Sequence, residues 1–455
     1  MSSVPDAPDM VRGTPESDGR LPRRLGGWST AAVTVGIMIG SGIFRVPAAV
    51  AAHTGSPTAM LLIWMVGGIV AMCGALALAE VAAMFPKAGG MYVYLREAYG
   101  PLTAFLFGWV YLVIIPTGAG AIALVFAEYL GRLVPLTPGH VRLVAIAVIV
   151  LLAGVQYRSV RVGAALQNVS TIAKVGAILG LTTAAFVLGE PDTGAWAGAV
   201  SLQTVSWGGL GLGVVTVLWA YNGWQDVTCL SGEVRDPARA LPRALVGGTL
   251  AVVAIYLAAN AAYLLVLPID VMATSPLVAS DVAVRLVGPL GSALVAALVS
   301  VSTFGSLNAV LMAVPRVFWA MADDGLFFRR VAAVHPRYRT PHVAIVALAS
   351  LSVVYILFRS FEQLIEAFIL ASLPFWALSV GSVLILRRTR PDLPRVYRTP
   401  GYPLVPLLFV LAMLALLMNS FREHPAASLG SIGAVMAGVP LYYGWRYLGR
   451  DRAPR

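Results

Sequence analysis

The chain has 455 residues, of which 58% are hydrophobic and only 12% are charged. In soluble domains about a quarter of all residues are charged, so this composition excludes an ordinary soluble protein. The net charge of +11 could suit a nucleic-acid-binding protein. However, most Lys and Arg residues lie in alternate segments between apolar runs, as in the cytoplasmic loops of membrane proteins. We therefore expect a lipid bilayer around the chain and no nucleic acid partner.

Twelve apolar runs are long enough to cross a bilayer as helices. In chain order they cover residues 28–52, 57–85, 102–131, 140–157, 165–188, 206–232, 243–267, 281–315, 342–358, 362–387, 402–419 and 427–447. The polar stretch 1–27 has no signal-peptide pattern and is predicted to be a disordered cytoplasmic tail. Residues 448–455 are predicted to form a cytoplasmic C-terminal tail. The sequence thus predicts an all-α polytopic protein of the cell (plasma or inner) membrane with about 12 transmembrane helices.

Two of these runs are interrupted near their middle. Gly40-Ser41-Gly42-Ile43-Phe44 breaks run 1, and Ala220-Tyr221-Asn222-Gly223-Trp224 breaks run 6. Unwound backbone at membrane depth is tolerated only where protein buries it or where it lines a cavity. Breaks at corresponding positions of two halves indicate the binding site of a secondary transporter. A channel is disfavoured because such broken helices imply alternating access.

Runs 1–5 and runs 6–10 each begin with a broken helix, so they read as two equivalent units. Because five is an odd number of crossings, the first unit ends on the opposite side of the membrane from where it begins. The second copy must therefore be inverted in the membrane. We predict a 5+5 inverted-repeat fold with discontinuous helices 1 and 6, with repeats at 28–190 and 206–388. Helices 11 and 12, at 402–447, are predicted to be peripheral and could mediate a homodimer contact.

Several long motifs resemble one transporter family. Residues 36–44 (GIMIGSGIF) resemble the first-helix signature of the amino acid–polyamine–organocation superfamily. Residues 218–226 (LWAYNGWQD) and 232–242 (GEVRDPARALP) look like the sixth helix and the following loop of its L-type amino acid transporter branch. Residues 79–101 resemble the family's loop between helices 2 and 3. The resemblance implies an amino acid substrate, transport and not enzyme catalysis, and no cofactor.

The two breaks can bind the charged groups that all amino acids share. The first break frees backbone N–H groups at the start of a half-helix, where a carboxylate is favoured. The second frees carbonyl oxygens at the end of a half-helix, which suits the ammonium group. The predicted substrate-binding residues are Ile39, Gly40, Ser41, Gly42, Ile43, Trp219, Ala220, Tyr221 and Asn222.

Trp219 could be a packing aromatic or a gate over the substrate. The L-type resemblance implies an aromatic gate at this position, so we predict a gate. The substrate side chain is expected to meet residues of runs 3, 8 and 10. Candidates for this pocket are Thr117, Gly118, Ser306 and Asn308.

Lys174 is a cation inside run 5. A charged Lys at the bilayer centre costs about 2.5–3.5 kcal/mol, so it should face the bundle interior, with snorkelling to the surface as the alternative. The resemblance implies a helix-5 lysine where sodium-coupled relatives bind a cation between helices 1 and 8. We predict that Lys174 replaces sodium, joining carbonyls near Gly36 and Ile37 to Ser302, Thr303 or Ser306. Whether it is a fixed charge or a proton carrier stays open.

Other charged residues are weaker signals. Glu80 and Glu233 are expected to pair with arginines near helix ends, and Asp226 either lines the inner vestibule or caps the second half of run 6. Cys73, Cys229 and the five His residues have no ligand spacing, so no metal site is predicted. Residues 132–140 contain no Cys for the disulfide that the family's animal members make with a glycoprotein. No covalent heavy-chain partner is therefore expected.

The predicted function is sodium-independent exchange or proton-coupled uptake of small to medium neutral L-amino acids by alternating access. The alternative is an antiporter of cationic amino acids, agmatine or polyamines, because Trp219, Tyr221 and Trp224 could form an aromatic box around a cation. An intramembrane enzyme is a remote alternative. It would need paired catalytic groups, and Asp323-Asp324 reads as a turn before Gly325.

Overall fold

The computed structural model describes residues 21–40, 42–189, 207–275, 277–358, 361–423 and 425–450. Across these ranges the chain is α-helical and contains no strand, which confirms the predicted all-α class. Ser41, a predicted substrate-binding residue, lies outside the described residues. So do 1–20 and 451–455 of the predicted tails, and the predicted repeat ends 190 and 206.

Nineteen α-helices are present among the described residues. Those before residue 190 are α1 (Gly27–Met38), α2 (Gly42–Thr54), α3 (Pro57–Met84), α4 (Met91–Tyr99), α5 (Pro101–Val113), α6 (Ile115–Leu133), α7 (Pro138–Arg158) and α8 (Val160–Leu188). Those after it are α9 (Trp207–Tyr221), α10 (Pro237–Val266), α11 (Ile269–Thr274), α12 (Val278–Val287), α13 (Leu290–Ala313), α14 (Pro315–Asp323), α15 (His342–Phe358), α16 (Phe361–Thr389), α17 (Leu404–Glu423), α18 (Pro425–Met436) and α19 (Gly438–Arg450).

By length and composition, nine helical stretches of the described chain could cross a membrane. Predicted runs 6, 9 and 12 are not among them. The helix of run 6, α9, ends after 15 residues at its break, α15 has 17 residues, and Ala437 divides run 12 into α18 and α19. The count of twelve and the repeat boundaries therefore stay predictions.

Two predicted runs are divided where a glycine or proline interrupts the helix. The sequence predicts that run 8 begins at residue 281, but α12 ends at Val287 and α13 begins at Leu290. Gly288 follows α12 with a φ of +71°, which disfavours other residues. Run 3 is interrupted at Ile114 because Pro116 has no N–H to donate. The Thr117 N–H donates to the Ile114 carbonyl at 2.9 Å, and the Val113 carbonyl accepts a hydrogen bond from the Tyr355 hydroxyl at 2.7 Å.

Both predicted helix breaks are present. The first separates α1 from α2 at Ile39 and Gly40, and the second follows α9 at residues 222–225. The chain then continues as a 3₁₀ helix (Asp226–Glu233), so the second half of run 6 is not the α-helix that its hydropathy predicts. The two breaks lie close together, because α2 packs against α9 and Gly42 is next to Ala220.

The segment Leu21–Gly26 does not fit the predicted disordered tail of residues 1–27. The N–H groups of Arg24 and Leu25 both donate to the Glu233 carbonyl at 2.8 Å, and the Arg235 N–H donates to the Leu25 carbonyl. The side chains of Leu21 and Leu25 are buried. Apolar burial and backbone pairing therefore order this part of the tail against the end of the 3₁₀ helix.

Candidate substrate site at the two helix breaks

A cavity lies where the two breaks meet α5, α6, α13 and α16. Residues of both breaks and of these four helices form its wall. The lining residues are Ile37, Gly40, Gly42, Tyr111, Ile115, Gly118, Ala119, Ile122, Trp219, Asn222, Gln225, Asp226, Ser306, Val310, Val314, Ser372 and Trp376.

Some predicted substrate-binding residues line this cavity and others do not. Those that line it are Gly40, Gly42, Gly118, Trp219, Asn222 and Ser306. Ile39, Ile43 and Ala220 belong to the breaks but are buried behind the lining. Tyr221 points away, because its hydroxyl donates to the Trp64 carbonyl at 3.2 Å and its ring packs against Trp64.

Thr117 and Asn308 are also placed outside the lining. The Thr117 hydroxyl donates to the Ile114 carbonyl at 2.5 Å, within the bend of run 3. The Asn308 amide donates to Gln167 at 3.1 Å and accepts from Gln156 at 2.7 Å. Asn308 therefore joins α13 to α7 and α8, because it lies on the face of α13 away from the cavity.

Lys174 is fully buried on α8, beside the first break. Its ammonium donates to the carbonyls of Gly36 and Ile39 at 2.6 Å each, to the Ser306 hydroxyl at 3.0 Å and to the Ser302 carbonyl at 3.2 Å. The charge thus faces the bundle interior and does not snorkel to a surface. It joins the unwound end of α1 to α13.

The partners of Lys174 differ in detail from those expected. The second carbonyl belongs to Ile39 and not to Ile37. The Ser302 hydroxyl donates to the Ile39 carbonyl at 3.2 Å, so it shares this acceptor with the Lys174 ammonium. The Thr303 hydroxyl is turned to its own helix, where it donates to the Val299 carbonyl at 2.7 Å. Thr303 is therefore separate from the hydrogen bonds around Lys174.

The broken helices, the cavity between them and the buried lysine have the arrangement expected of an amino acid carrier, and comparison with known proteins agrees. The sequence model described as amino acid permease matches residues 25–443. The chain belongs to the amino acid permease family. It resembles the L-type branch of the superfamily, as its motifs indicated, and it is an amino acid transporter of the membrane, not an enzyme.

Among its relatives, the permease is 32% identical to the serine/threonine exchanger SteT of Bacillus subtilis (strain 168), over 94% of this chain and 98% of that protein. It is 31% identical to the b(0,+)-type amino acid transporter 1 of Homo sapiens, over 93% of this chain and 88% of that protein. It is 30% identical to the large neutral amino acids transporter small subunit 2 of Mus musculus, over 93% of this chain and 81% of that protein.

Sequence reasoning missed several cavity residues of the permease. Tyr111 belongs to run 3, and Ser372 and Trp376 belong to run 10; both runs are expected at the site, but the sequence does not show which of their residues face the breaks. Hydropathy treats Tyr111 and Trp376 as ordinary span residues. Gln225 lies within the motif 218–226 quoted above, and its amide donates to Asn222 at 2.8 Å. Its place one residue after the Gly-Trp pair was the signal available for it.

Glu80 and Glu233 each pair with an arginine, as the sequence suggested. Glu233, at the end of the 3₁₀ helix, binds Arg316 of α14 at 2.7 Å, and both side chains are fully buried. Glu80 of α3 binds Arg387 of α16 at 2.7 Å and also accepts the Thr399 N–H at 2.7 Å. These two pairs tie the elements beside the cavity to the surrounding helices.

Gly42→Ala is expected to lower transport by about tenfold or more, since overpacking costs about 1–3 kcal/mol. A Cβ atom on Gly42 would lie 2.6 Å from the Ala220 Cα, and backbone cannot rotate out of the way as a side chain can. The two breaks would have to separate. Initial uptake rates per amount of protein in liposomes check this. Gly154→Ala, where a Cβ meets nothing within 4 Å, is the matched control, and equal rates for both variants would contradict the prediction.

Proposed function

We propose that the permease exchanges small to medium neutral L-amino acids across the membrane without sodium, by alternating access. The observation that carries this proposal is the position of the Lys174 ammonium. Unwound carbonyls in broken-helix transporters commonly coordinate a sodium ion. Here the carbonyls of Gly36 and Ile39 already accept from the Lys174 ammonium at 2.6 Å, so they do not need a bound metal ion as a partner.

The first break supplies the site for the substrate carboxylate. Helix α2 begins at Gly42, so the N–H groups of its first turn have no partner within the helix. Unpaired N–H groups and the positive end of a helix dipole both favour an anion. Gly40 and Gly42 line the cavity at this point, where the absence of a side chain lets the carboxylate approach the backbone.

The second break supplies acceptors for the substrate ammonium. Helix α9 ends at Tyr221, which leaves the carbonyls of its last turn without helix partners. The Asn222 N–H takes up one of these, the Trp219 carbonyl, at 3.2 Å. The remaining carbonyl oxygens and the negative end of the helix dipole favour a cation. A zwitterion can therefore bind between the breaks with no ionised side chain at its backbone.

Apart from Asp226, the rest of the lining favours an uncharged side chain of limited size. Aromatic and aliphatic groups surround the space beyond the breaks, among them Tyr111, Ile115, Ile122 and Trp376. The name of one relative, a serine/threonine exchanger, agrees with both exchange and small substrates. For the orientation, we propose that both termini are cytoplasmic, because the basic loops lie on the side of the N-terminus.

Counterflow in liposomes tests this function. Purified permease would be reconstituted in liposomes loaded with unlabelled mixed amino acids, and entry of labelled alanine would be followed in sodium-free buffer. Each of the twenty amino acids and agmatine would be added outside as a competitor. Competition by a set of small neutral amino acids is expected. Competition by arginine or agmatine alone would favour the second candidate, a cationic amino acid antiporter, to which the carboxylate of Asp226 in the cavity lining gives support.

Trp219→Ala is expected to raise the KM for substrate by about tenfold while Trp219→Phe stays near the wild-type value, because loss of the aromatic cover opens the site to water. The partly buried ring lines the cavity beside the second break. The measurement is the concentration dependence of initial counterflow rates. Equal KM values for the alanine and phenylalanine variants would show that Trp219 only packs the bundle and is not a gate.

A further inference from the structure

Asp226 is an acidic side chain in the wall of the transport cavity. It is the first residue of the 3₁₀ helix that follows the second break, and its side chain is 8% exposed. The Tyr111 hydroxyl donates to one of its carboxylate oxygens at 3.3 Å. A neutral donor at this distance gives a carboxylate little compensation for burial.

The remaining groups around Asp226 do not supply a positive charge. Among the residues that the structure describes, no ion pair includes Asp226. Arg316, the cationic residue of the neighbouring α14, is bound to both carboxylate oxygens of Glu233. The two titratable groups that accompany Asp226, Tyr111 and Cys229, are uncharged when protonated.

The other elements packed against the 3₁₀ helix add no charge at Asp226. Helices α1 and α13 contain no charged residue. The arginines in the first turns of α10, Arg239 and Arg243, have exposed side chains and do not face the cavity. The carboxylate of Asp226 therefore faces the substrate space without a cationic partner from the described chain.

Closing the cavity over a substrate removes water from this carboxylate. A buried, unpaired carboxylate is unstable and must gain a positive charge or a proton. We propose that the cavity takes up one positive charge at Asp226 with every substrate that it carries. A cationic amino acid brings the charge on its side-chain ammonium or guanidinium group, and a neutral amino acid is accompanied by a proton on the carboxylate.

This inference rests on the proposed amino acid exchange, and it sets the charge balance of that exchange. A neutral amino acid with its proton and a cationic amino acid each carry one positive charge through the membrane. Exchange of one for the other is then electroneutral, and one proton moves opposite to each cationic amino acid. Exchange of two neutral amino acids moves a proton in each direction and therefore no net proton.

The wild-type protein is tested first. Liposomes would be loaded with arginine and a trapped pH-sensitive dye, and labelled alanine would be added outside in sodium-free buffer. We expect the lumen to acidify as alanine enters, and we expect arginine to leave. Alanine-for-alanine counterflow should slow at alkaline pH by up to about tenfold per pH unit, as for binding of one proton, whereas arginine-for-arginine counterflow should not.

Asp226→Asn separates a carboxylate role from general damage to the protein. In this variant we expect alanine counterflow to lose its pH dependence and arginine counterflow to fall by about tenfold or more, equivalent to about 1.4 kcal/mol. Asp324→Asn is the matched control. Asp324 also accepts from a tyrosine hydroxyl, that of Tyr92 at 2.9 Å, but it lies outside the cavity, so its pH profile should match the wild type.

Three results would overturn the inference: alanine counterflow by the wild type that does not change with pH, alanine entry without luminal acidification in arginine-loaded liposomes, or an unchanged pH profile in Asp226→Asn. Each of these requires that alanine is exchanged at all. Absence of exchange of any amino acid would instead contradict the proposed function itself, so the two failures are distinguishable.

Discussion

Replacing Lys174 with methionine is expected to lower amino acid exchange by about 30-fold or more. Methionine keeps much of the length of the side chain but removes the donor from the carbonyls of Gly36 and Ile39. Each buried acceptor left without a partner costs about 1–3 kcal/mol, and about 2 kcal/mol in total corresponds to the stated factor. The measurement is the initial rate of sodium-free counterflow per amount of reconstituted protein.

The matched control for this variant is Thr303→Val. Thr303 lies on the same stretch of α13 as Ser302 and Ser306, but its hydroxyl donates to its own helix and not toward Lys174. We expect it to keep most of the transport rate. A Lys174→Met protein that transports at the wild-type rate would show that the ammonium has no part in the cycle, either as a fixed charge or as a proton carrier.

The second large effect is expected from the buried pair of Glu233 and Arg316. Both side chains are fully buried, and Arg316 also donates to the Met312 carbonyl. Removing one partner of a buried pair costs about 3–5 kcal/mol because the other charge is left uncompensated. Arg316→Met should therefore lower the thermal unfolding midpoint in detergent strongly. Replacing both residues with methionine should recover much of the loss.

The pair of Arg96 and Asp324 provides the comparison. Both of its side chains are about a quarter exposed, and exposed pairs contribute about 0–1 kcal/mol. Asp324→Asn should change the unfolding midpoint much less than Arg316→Met. Equal unfolding midpoints for the two single variants would contradict this prediction. So would a double methionine variant no more stable than Arg316→Met, because the loss would then not come from an uncompensated buried charge.

The helix breaks and the buried lysine could be predicted because local chemistry determines them. Glycines inside an apolar run weaken the helix wherever they occur, and a lysine inside a span has to find acceptors. The helix is interrupted at Ile39 and Gly40, and Lys174 contacts the Ile39 carbonyl there. Such features need no knowledge of how distant helices are arranged.

Features that depend on helix rotation or on tertiary contacts could not be read from the sequence. Asn308 is two residues from Ser306, yet it faces the amides of Gln156 and Gln167 and not the cavity. Tyr111 and Trp376 reach the cavity only because α5 and α16 pack beside the breaks. The change to a 3₁₀ helix after the second break also escapes hydropathy, which reports apolar character and not the hydrogen-bonding pattern.

The central claim is that Lys174 takes the place of a coupling sodium ion in an amino acid exchanger. Its most direct test is the initial rate of labelled alanine counterflow in liposomes, measured in sodium and in choline buffers of equal ionic strength. Equal rates in the two buffers are expected. Counterflow that occurs only in sodium buffer would contradict the claim, because a cation would then still be required beside an ammonium that already binds the Gly36 and Ile39 carbonyls.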